Sequence, residues 1–583
     1  MASETKTGIV QFTYDEKPWL RNYPSNVPES IDYPEHSIYQ FLETAVAENP
    51  NGDALIFFDK RTSYRKMHDK VCRLATALKG LEVKKGDRVA IFLPNLPQFV
   101  ISFFAIQKIG GVCVTFNPQY KESELLHQLN DADIEVIICL DYVMYQRVKK
   151  VRDKTKLRHV IVCRMGTEIA FHKRIMGTLT GKLPLNRPID TTDFKFEDII
   201  ATNEPSTEIP EVDAKKDLAL LQYTGGTTGV SKGAMLTHYN LVSNVIALDR
   251  WIQPPMEMGK EKFVGVVPLY HVYGLVTCMV PAVKLASPLI LIPNARAGRP
   301  MFQDLLETIA KHKPTIFHGV PTLYLALLMH PKIKDYDLTS IRACLSGSAP
   351  LPVEIMKNFE ELTGASVVEG YGLTETSPIT HVNPIAPDAE VKPGSIGMPF
   401  PDTEIRIFDP EDYTKELSFG EEGELGIRGP QVMKGYWKRP DATSEVMNPD
   451  GFFITGDIAV IDNDGYFTIT DRKKDMINAA GLKIYPREVE DILYEHPAVA
   501  EAAVCGVPDK YRGETAKAFI VLKDGETASA DELSEFCKTR MAKFKVPRYY
   551  DFIDELPKSA VGKILRRVLR DEEYKKANKK KKI

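Results

Sequence analysis

The sequence predicts an α/β protein with a large N-terminal domain and a small C-terminal domain. Its 583 residues exceed what one hydrophobic core supports, so two or more domains are expected. Up to about residue 470, short runs rich in Val, Ile and Leu alternate with helical stretches. That alternation is typical of parallel sheets covered by helices on both faces. From residue 388 the strands are joined by glycine-rich turns, and after residue 475 a separate α+β pattern begins.

The predicted strands of the N-terminal domain fall into three groups. A first doubly wound α/β subdomain has strands at 88–92, 112–115, 135–139 and 159–163. A second has strands at 217–223, 263–267, 315–318 and 342–346. Strands at 403–408, 423–428, 451–455 and 465–470 predict a small β-barrel. We therefore divide the chain into a domain at 1–470, a charged hinge at 471–475, and a domain at 476–583 that ends in a basic tail.

Composition excludes several classes of protein. The net charge of −4 gives no reason to expect a nucleic-acid partner. The eight cysteines are scattered singly, which predicts buried thiols of a reducing compartment rather than zinc ligands or disulfides. Residues 1–17 are polar, unlike a secretory signal, and every apolar stretch is shorter than the roughly 20 residues of a membrane-spanning helix. We predict a cytoplasmic protein.

The stretch YTGGTTGVSKG at 223–233 predicts a loop that binds phosphate. It follows an apolar run and precedes a helical stretch, its glycines let backbone amides approach an anion, and Lys232 adds a positive charge. The usual P-loop ends in Gly-Lys followed by Ser or Thr, and that ending is missing here. Kinase-like and GTPase-like functions are therefore disfavoured.

Five further motifs follow this loop, and together they resemble the adenylate-forming superfamily, in particular its fatty acyl-CoA synthetases. They are PLYH at 268–271, EGYGLTE at 369–375, TGD at 455–457, DRKKD at 471–475 with Gly481, and PKSAVGK at 557–563. The resemblance covers nearly the whole chain. It implies that ATP and a carboxylic acid form an acyl-AMP, and that the acyl group then passes to coenzyme A.

The resemblance also implies roles for the residues at the reacting groups. Lys563 would bridge the acid carboxylate and the α-phosphate during adenylation, where positive charge must neutralise two anions. Glu375 would ligate Mg²⁺, which prefers carboxylate oxygen, and Thr374 would donate a hydrogen bond to the α-phosphate. His271 would shape the acid pocket, and a structural core histidine is the alternative.

The nucleotide would be held by loops from several parts of the chain. Tyr371 offers a flat face to adenine, and the turn at 346–350 would line the other side of the base. Asp457, in a turn between strands, would accept both ribose hydroxyls, and Arg472 would reinforce that contact. The full set of cofactor-binding residues implied is Thr224, Gly225, Gly226, Thr227, Thr228, Gly229, Lys232, Ser348, Ala349, Gly370, Tyr371, Gly372, Thr374, Asp457, Arg472, Gly481 and Lys563.

Two half-reactions at one carbonyl carbon require different groups beside it. Similar enzymes rotate the C-terminal domain between the steps, and Lys474 would be the hinge residue. Rotation would withdraw Lys563 and bring in the loop at Gly481, where a glycine leaves room for the pantetheine arm. Lys543 and Lys545 would meet the phosphates of coenzyme A, and a solvated charge cluster explains them equally well.

The acid is predicted to be a medium- or long-chain fatty acid. KPWLRNY at 17–23, DYPE at 32–35 and ALIFF at 54–58 resemble bacterial and archaeal long-chain fatty acyl-CoA synthetases. The stretches 273–275 and 318–321, expected to frame the acid, are mostly small or apolar. An aryl acid (coumarate-type) CoA ligase is the alternative within enzymes, and a nucleotide-binding homologue without turnover is the alternative outside them.

Partners beyond the fatty acid and coenzyme A are less constrained by the sequence. Residues 164–190 fit either a basic amphipathic helix at a membrane surface or an ordinary surface insertion. The lysine-rich tail at 575–583 fits either a solvated tail or a weak contact with anionic lipid. The sequence thus leaves open a peripheral contact with the inner face of the membrane, and it leaves open a homodimer.

Overall fold

The computed structural model describes residues 13–170, 173–175, 177, 188–224, 231–479, 482–509, 511–559 and 562–580. These residues form four β-sheets covered by helices. Two large sheets and one smaller sheet belong to the N-terminal part, and the fourth belongs to the C-terminal part. The predicted α/β class, with a large first part and a small second part, is confirmed.

The first large sheet has seven strands, and all but the last are parallel. In spatial order they are Phe194–Lys195, His159–Cys163, Val136–Leu140, Arg88–Phe92, Val112–Thr115, Leu218–Thr224 and Lys232–Thr237. The run at 217–223 was predicted to belong to the second sheet, and that prediction is wrong. Leu220 and Leu221 pair with Cys113 and Val114, so this strand extends the first sheet.

The second large sheet has nine strands with a parallel centre and antiparallel edges. In spatial order they are Met398–Pro399, Ile379–Val382, Ser366–Gly372, Ala343–Ser346, Ile316–Gly319, Phe263–Gly265, Leu289–Leu291, Asp53–Phe57 and Lys60–Ser63. The carboxyl ends of parallel strands lie at one edge, where ligand sites of α/β sheets form. That edge carries the motif residues of 346–375.

Helices cover both sheets. Pro97–Lys108 is buried along its whole length and packs against Tyr64–Gly80. A π-helical turn, Leu275–Met279, joins the short helices Val272–Gly274 and Val280–Lys284. Among the described residues of this part, the other α-helices are Gln40–Glu48, Glu122–Asp131, Val143–Val151, Phe196–Thr202, His238–Trp251, Gln303–His312, Pro321–Leu328, Val353–Thr363 and Pro440–Ser444.

The predicted antiparallel region is a five-stranded sheet. Its spatial order is Asp412–Glu416, Glu404–Asp409, Gly423–Arg428, Phe453–Ile461 and Phe467–Arg472. The third strand along the chain, Gly423–Arg428, pairs with neighbours on both sides and occupies the centre. The last strand, Phe467–Arg472, leads directly into the charged segment at 471–475.

The C-terminal part has its own sheet and its own apolar core. Its strands are Leu482–Ile484, Ile477–Ala479, Gly513–Leu522, Val499–Asp509 and Tyr549–Phe552, and its helices are Pro486–Tyr494, Ala530–Lys538 and Arg566–Lys580. Two clusters of buried apolar side chains are built only from residues between 477 and 569. The last residue along the chain in the large N-terminal cluster is Ile469.

All eight cysteines are buried and carry free thiols. No helix among the described residues is long and apolar enough to cross a membrane. Of the segment 164–190, for which we considered a membrane-surface helix, residues 171–172, 176 and 178–187 lie outside the described part of the chain. Residues 581–583 of the basic tail lie outside it as well.

Candidate active site

A cavity of about 1510 Å³ lies where the carboxyl edge of the second sheet, the five-stranded sheet and the C-terminal part meet. All of the predicted site residues that the structure describes line it. They are Thr224, Lys232, His271, Ser348, Ala349, Gly370, Tyr371, Gly372, Thr374, Glu375, Asp457, Arg472 and Lys563. Six motifs that are distant in sequence therefore converge on one space.

Tyr371, Asp457 and Arg472 form a connected group on one wall. The Tyr371 hydroxyl donates a 2.6 Å hydrogen bond to Asp457 Oδ2, and Arg472 Nε lies 3.1 Å from Asp457 Oδ1. Burial raises the pKa of the Tyr371 hydroxyl well above its usual range, and the Asp457 carboxylate raises the pKa of Arg472. A fixed carboxylate at this place is suited to accept hydrogen bonds from paired hydroxyls such as those of ribose.

Asp457 was predicted to lie in a turn, and that prediction is wrong. It lies within the strand Phe453–Ile461, directly opposite Arg472. Gly456 has a φ of +78°, and the pairing register shifts between Ile458 and Ala459. The Gly-Asp pair, typical of a turn, here lies next to an irregularity inside a strand.

Gly370, Tyr371 and Gly372, a sequence typical of a tight turn, instead end the strand Ser366–Gly372. They pair with the strand Ile379–Val382, which supplies the ladder partners that a turn would lack. The glycines serve close packing, because a Cβ at Gly372 would lie 1.9 Å from the carbonyl oxygen of Pro378. Tyr371 is thereby held near the end of the strand, where it lines the cavity together with Asp457.

The turn containing Ser348 and Ala349 lies beside this strand. Ser348 has a φ of +70°, a backbone conformation that non-glycine residues rarely adopt and that often marks a functional site. The backbone N–H of Leu351 donates to Glu369 Oε2 at 3.1 Å, which ties the turn to the strand that carries Tyr371. Both predicted sides of an adenine site are thus joined.

Glu375 lies in the 3₁₀ turn Thr374–Thr376 and is 9% exposed. The Tyr436 hydroxyl donates a 2.7 Å hydrogen bond to Glu375 Oε1, and burial raises the pKa of this carboxyl. Lys232 Nζ lies 5.0 Å from the centre of the Tyr436 ring. Our sequence analysis missed Tyr436, since its contact with Glu375 spans 61 residues and no motif includes it.

The described ends of the predicted phosphate loop reach the same region. Thr224 and Lys232 are paired across two antiparallel strands, so the loop connects a hairpin. The prediction that a helix directly follows the loop is wrong, because the strand Lys232–Thr237 comes first and the helix begins at His238. Gly225, Gly226, Thr227, Thr228 and Gly229 lie outside the described residues, as does Gly481.

Lys563 enters the cavity from the C-terminal part. It ends a turn in which the Ser559 N–H donates to the Lys563 carbonyl oxygen at 2.8 Å and the Gly562 N–H donates to the Ser559 carbonyl oxygen at 2.9 Å. The Arg472 guanidinium, together with burial, lowers the pKa of Lys563 to about 7. The charged form of a lysine that is destabilised in this way is stabilised when an anion binds beside it.

The same turn touches the N-terminal part through Gly562. A Cβ at this position would lie 2.6 Å from Thr322 Oγ1 and 3.0 Å from Val320 Cγ2. Gly562 also has a φ of +75°, which favours glycine. Only glycine lets the Lys563 turn approach this closely.

His271 is one of the residues that line the cavity. Its Nδ1 accepts a 3.2 Å hydrogen bond from the Tyr273 N–H, and burial together with the charge of Lys563 lowers its pKa to about 4. It is therefore neutral at physiological pH. Leu325 and Leu345 also line the cavity, and the Tyr273 hydroxyl donates to the Leu345 carbonyl oxygen at 2.7 Å. Apolar side chains in the lining suit an apolar group.

The two lysines considered for coenzyme A lie elsewhere on the C-terminal part. Lys545 Nζ lies 2.6 and 2.7 Å from the two carboxylate oxygens of Glu488, and Lys543 is exposed. The Lys545 pair fits the solvated charge cluster that we gave as the alternative. A role in binding coenzyme A stays a prediction for both.

Family models match both parts of the chain. Residues 42–437 match the model described as AMP-binding enzyme, and residues 488–563 match the AMP-binding enzyme C-terminal domain. A long-chain-fatty-acid–CoA ligase of Bacillus subtilis (strain 168) is 45% identical over 565 residues, which cover 96% of this chain and 98% of the relative. A long-chain-fatty-acid–CoA ligase of Escherichia coli O157:H7 is 40% identical over 566 residues, with the same coverage.

Solved structures share the fold at lower identity. ATP-bound MatB from Rhodopseudomonas palustris superposes with a TM-score of 0.81 at 29% identity, covering 92% of this chain and 99% of that one. The anthranilate CoA ligase AuaEII in complex with anthranoyl-AMP gives a TM-score of 0.81 at 29% identity, covering 93% of this chain and 98% of that one.

Proposed function

Because the chain belongs to the family of AMP-binding enzymes, we propose that it is a fatty-acid–CoA ligase, which forms acyl-AMP and pyrophosphate from ATP and then acyl-CoA and AMP. The predicted superfamily is confirmed by both family models. One observation carries the proposal for this site: Lys563 from the C-terminal part shares a cavity with Asp457, Arg472, Glu375 and His271. The substrate class is supported by long-chain-fatty-acid–CoA ligases that are 37–45% identical over nearly the whole chain.

The adenylation step needs two anions brought together, the acid carboxylate and the α-phosphate. We assign Lys563 to bridge them, Thr374 to donate a hydrogen bond to the phosphate, and Lys232 with the adjoining loop to hold the triphosphate. Proximity supplies much of the rate enhancement, because holding the reacting atoms about 3–3.5 Å apart makes a bimolecular step effectively unimolecular. Asp457 and Arg472 would hold the ribose, and Tyr371 would lie against adenine.

Magnesium fits Glu375. This carboxylate is buried, faces the cavity, and has one oxygen fixed by Tyr436. Among the described residues, no group of three or more His, Cys, Asp or Glu side chains is placed to hold a metal ion. Mg²⁺ at this position would therefore take its other oxygens from ATP phosphates and water, as is usual for this ion, and would supply charge neutralisation there.

We assign residues 1–470 to the adenylating domain, 471–475 to the hinge and 476–583 to the rotating domain. Separate apolar clusters on either side of the hinge support this division. The thiol of coenzyme A must reach the carbonyl carbon that Lys563 faces, so Lys563 has to leave before the second step. Lys474 is the assigned hinge residue, and Gly481 is assigned to the loop that then approaches.

The test measures pyrophosphate release with ATP and Mg²⁺ across straight-chain acids and cinnamate-type acids, with and without coenzyme A. CoA-dependent turnover that peaks on aliphatic acids is expected, and it fixes the chain length. Turnover only on aromatic acids would identify an aryl acid ligase instead. No pyrophosphate release with any acid would favour a nucleotide-binding homologue without turnover.

A further inference from the structure

Arg487 joins the two parts of the chain and lines the cavity. It is the second residue of the helix Pro486–Tyr494 in the C-terminal part and is 8% exposed. Its Nη1 donates a 2.7 Å hydrogen bond to the carbonyl oxygen of Ile469, in the last strand of the N-terminal part. Its Nη2 lies 3.9 Å from Oε1 of Glu369, in the second large sheet. One side chain therefore bridges two N-terminal sheets.

Glu369 connects this bridge to Tyr371 and the Ser348 turn, which we assign to the nucleotide. It stands two residues before Tyr371 in the same strand, and its Oε2 accepts from the N–H of Leu351, which follows the Ser348 turn. Burial raises the pKa of Glu369 to about 7, and the Arg487 guanidinium is the strongest influence opposing that rise. A buried carboxylate that loses its cation is costly, so the two side chains hold each other in place.

Asp471 connects the bridge to the helix that follows Lys563. Its Oδ2 accepts a 2.9 Å hydrogen bond from the Arg487 backbone N–H, one of the N–H groups that a helix start leaves unpaired. Its Oδ1 lies 3.3 Å from Nη1 of Arg566, whose Nε donates to Glu490 at 2.8 Å. Arg566 lies three residues after Lys563. Contacts at Arg487 and Asp471 thus fix both C-terminal helices that border the cavity.

We propose that Arg487 is a positioning residue that holds the C-terminal domain in the orientation placing Lys563 in the cavity. It thereby serves acyl-AMP formation and has to release before the thioester step. The inference rests on the proposed function, since it assigns Arg487 to one of two half-reactions at the same site. Arg487 is one of the residues that line the cavity, and its contacts with Glu369, Asp471 and Ile469 connect it to the residues that hold the nucleotide site and Lys563.

The test separates the half-reactions in the full-length protein. Adenylation is measured as fatty-acid-dependent exchange between ATP and pyrophosphate, and the second step as acyl-CoA formation from supplied acyl-AMP and coenzyme A. R487M retains an unbranched apolar side chain and removes the guanidinium with its hydrogen-bond donors. We expect adenylation to fall about tenfold, a size common for coupled contacts, and the second step to stay within about twofold. R548M is the matched control, because Arg548 pairs with Asp509 at 3.3 Å wholly within the C-terminal part.

Two further variants keep the proposal testable if R487M folds poorly. E369Q removes the charge that faces Arg487 and retains an acceptor for the Leu351 N–H, so it should lower adenylation in the same selective way. R487K restores the positive charge without the guanidinium and should recover part of the lost activity. Equal losses in both half-reactions together with a lowered melting temperature would show a merely structural role. Unchanged adenylation in both R487M and E369Q would overturn the proposal.

A readout without catalysis distinguishes this inference from the proposed function. The hinge contains Arg472, Lys473 and Lys474, which are tryptic sites. If Arg487 holds the domain, R487M should speed cleavage in the hinge about threefold or more, whereas R548M should not. Wild-type protein that shows no exchange with any fatty acid would refute the proposed function, and hinge cleavage would still test the role of Arg487. Equal cleavage of wild type and R487M would refute that role.

Discussion

The Tyr371 hydroxyl donates a 2.6 Å hydrogen bond to Oδ2 of Asp457, which joins the second large sheet to the five-stranded sheet. The proposed adenine and ribose contacts are therefore mechanically one unit. Asp457 is also paired with Arg472, which is the second residue of the assigned hinge 471–475. Nucleotide binding and domain orientation thus share a strand.

Removing the Tyr371 hydroxyl should weaken ATP binding. Tyr371→Phe keeps the ring but frees Asp457 Oδ2, so the carboxylate loses its fixed orientation. A hydrogen bond to a charged group contributes ~1.5 kcal/mol or more, so we expect KM for ATP to rise roughly tenfold with a smaller change in kcat. Tyr145→Phe is the matched control, because Tyr145 donates to Asp193 at 2.7 Å away from the cavity. An unchanged KM for ATP in Tyr371→Phe would contradict the assignment.

Adenylation should depend on pH through Lys563. Its pKa is lowered to about 7, so the amine is charged below that pH and neutral above it. Because kcat/KM reports groups of the free enzyme, kcat/KM for ATP should fall as pH rises above about 7. The bound triphosphate favours the charged amine, so kcat should hold to a higher pH.

The same profile in E369Q isolates the contribution of Lys563. Glu369 also has a pKa near 7, but its charged form above that pH would strengthen the pair with Arg487 and so act in the opposite direction. A fall in kcat/KM that persists in E369Q belongs to Lys563. A flat profile between pH 6.5 and about 9 would contradict a role for a titrating lysine.

Gly562 should be required for adenylation more than for folding. In Gly562→Ala the new Cβ would meet Thr322 Oγ1, which pushes the Lys563 turn away from the N-terminal part. We expect at least a tenfold loss of ATP–pyrophosphate exchange, about the effect of a small displacement of a catalytic group. Gly525→Ala is the matched control, since Gly525 has a φ of +81° and nothing within 4 Å of its added Cβ. Equal losses in both variants would attribute the effect to backbone strain alone.

Glu375 should set the magnesium requirement. Glu375→Gln preserves an oxygen that accepts from Tyr436 and removes the negative charge. The Mg²⁺ concentration for half-maximal adenylation is expected to rise about tenfold or more. Tyr436→Phe should produce a smaller shift in the same direction, because it only frees the carboxylate to move. A midpoint unchanged in Glu375→Gln would place the metal elsewhere.

The motifs predicted the site better than the strand patterns predicted the sheets. The site residues belong to short motifs that are recognisable in the sequence, so they could be predicted without knowing the path of the chain between them. Sheet membership is different, because apolar runs such as Leu218–Thr224 and Asp53–Phe57 look alike, and only their non-local partners decide which sheet they join. The Gly-Asp pair at 456–457 predicted a turn, because the local sequence does not reveal the strands that pair with this segment on both sides. Tyr436 and Arg487 act through contacts that no local pattern contains.

The burial of all eight cysteines has a practical consequence for measuring this protein. Burial raises the pKa of thiols such as Cys113, Cys139 and Cys278, which keeps them protonated and unreactive. A chromogenic thiol reagent added to the folded enzyme will therefore report the consumption of coenzyme A with little background from the protein. The same reagent will count eight new thiols as the chain unfolds, so one assay follows both turnover and denaturation.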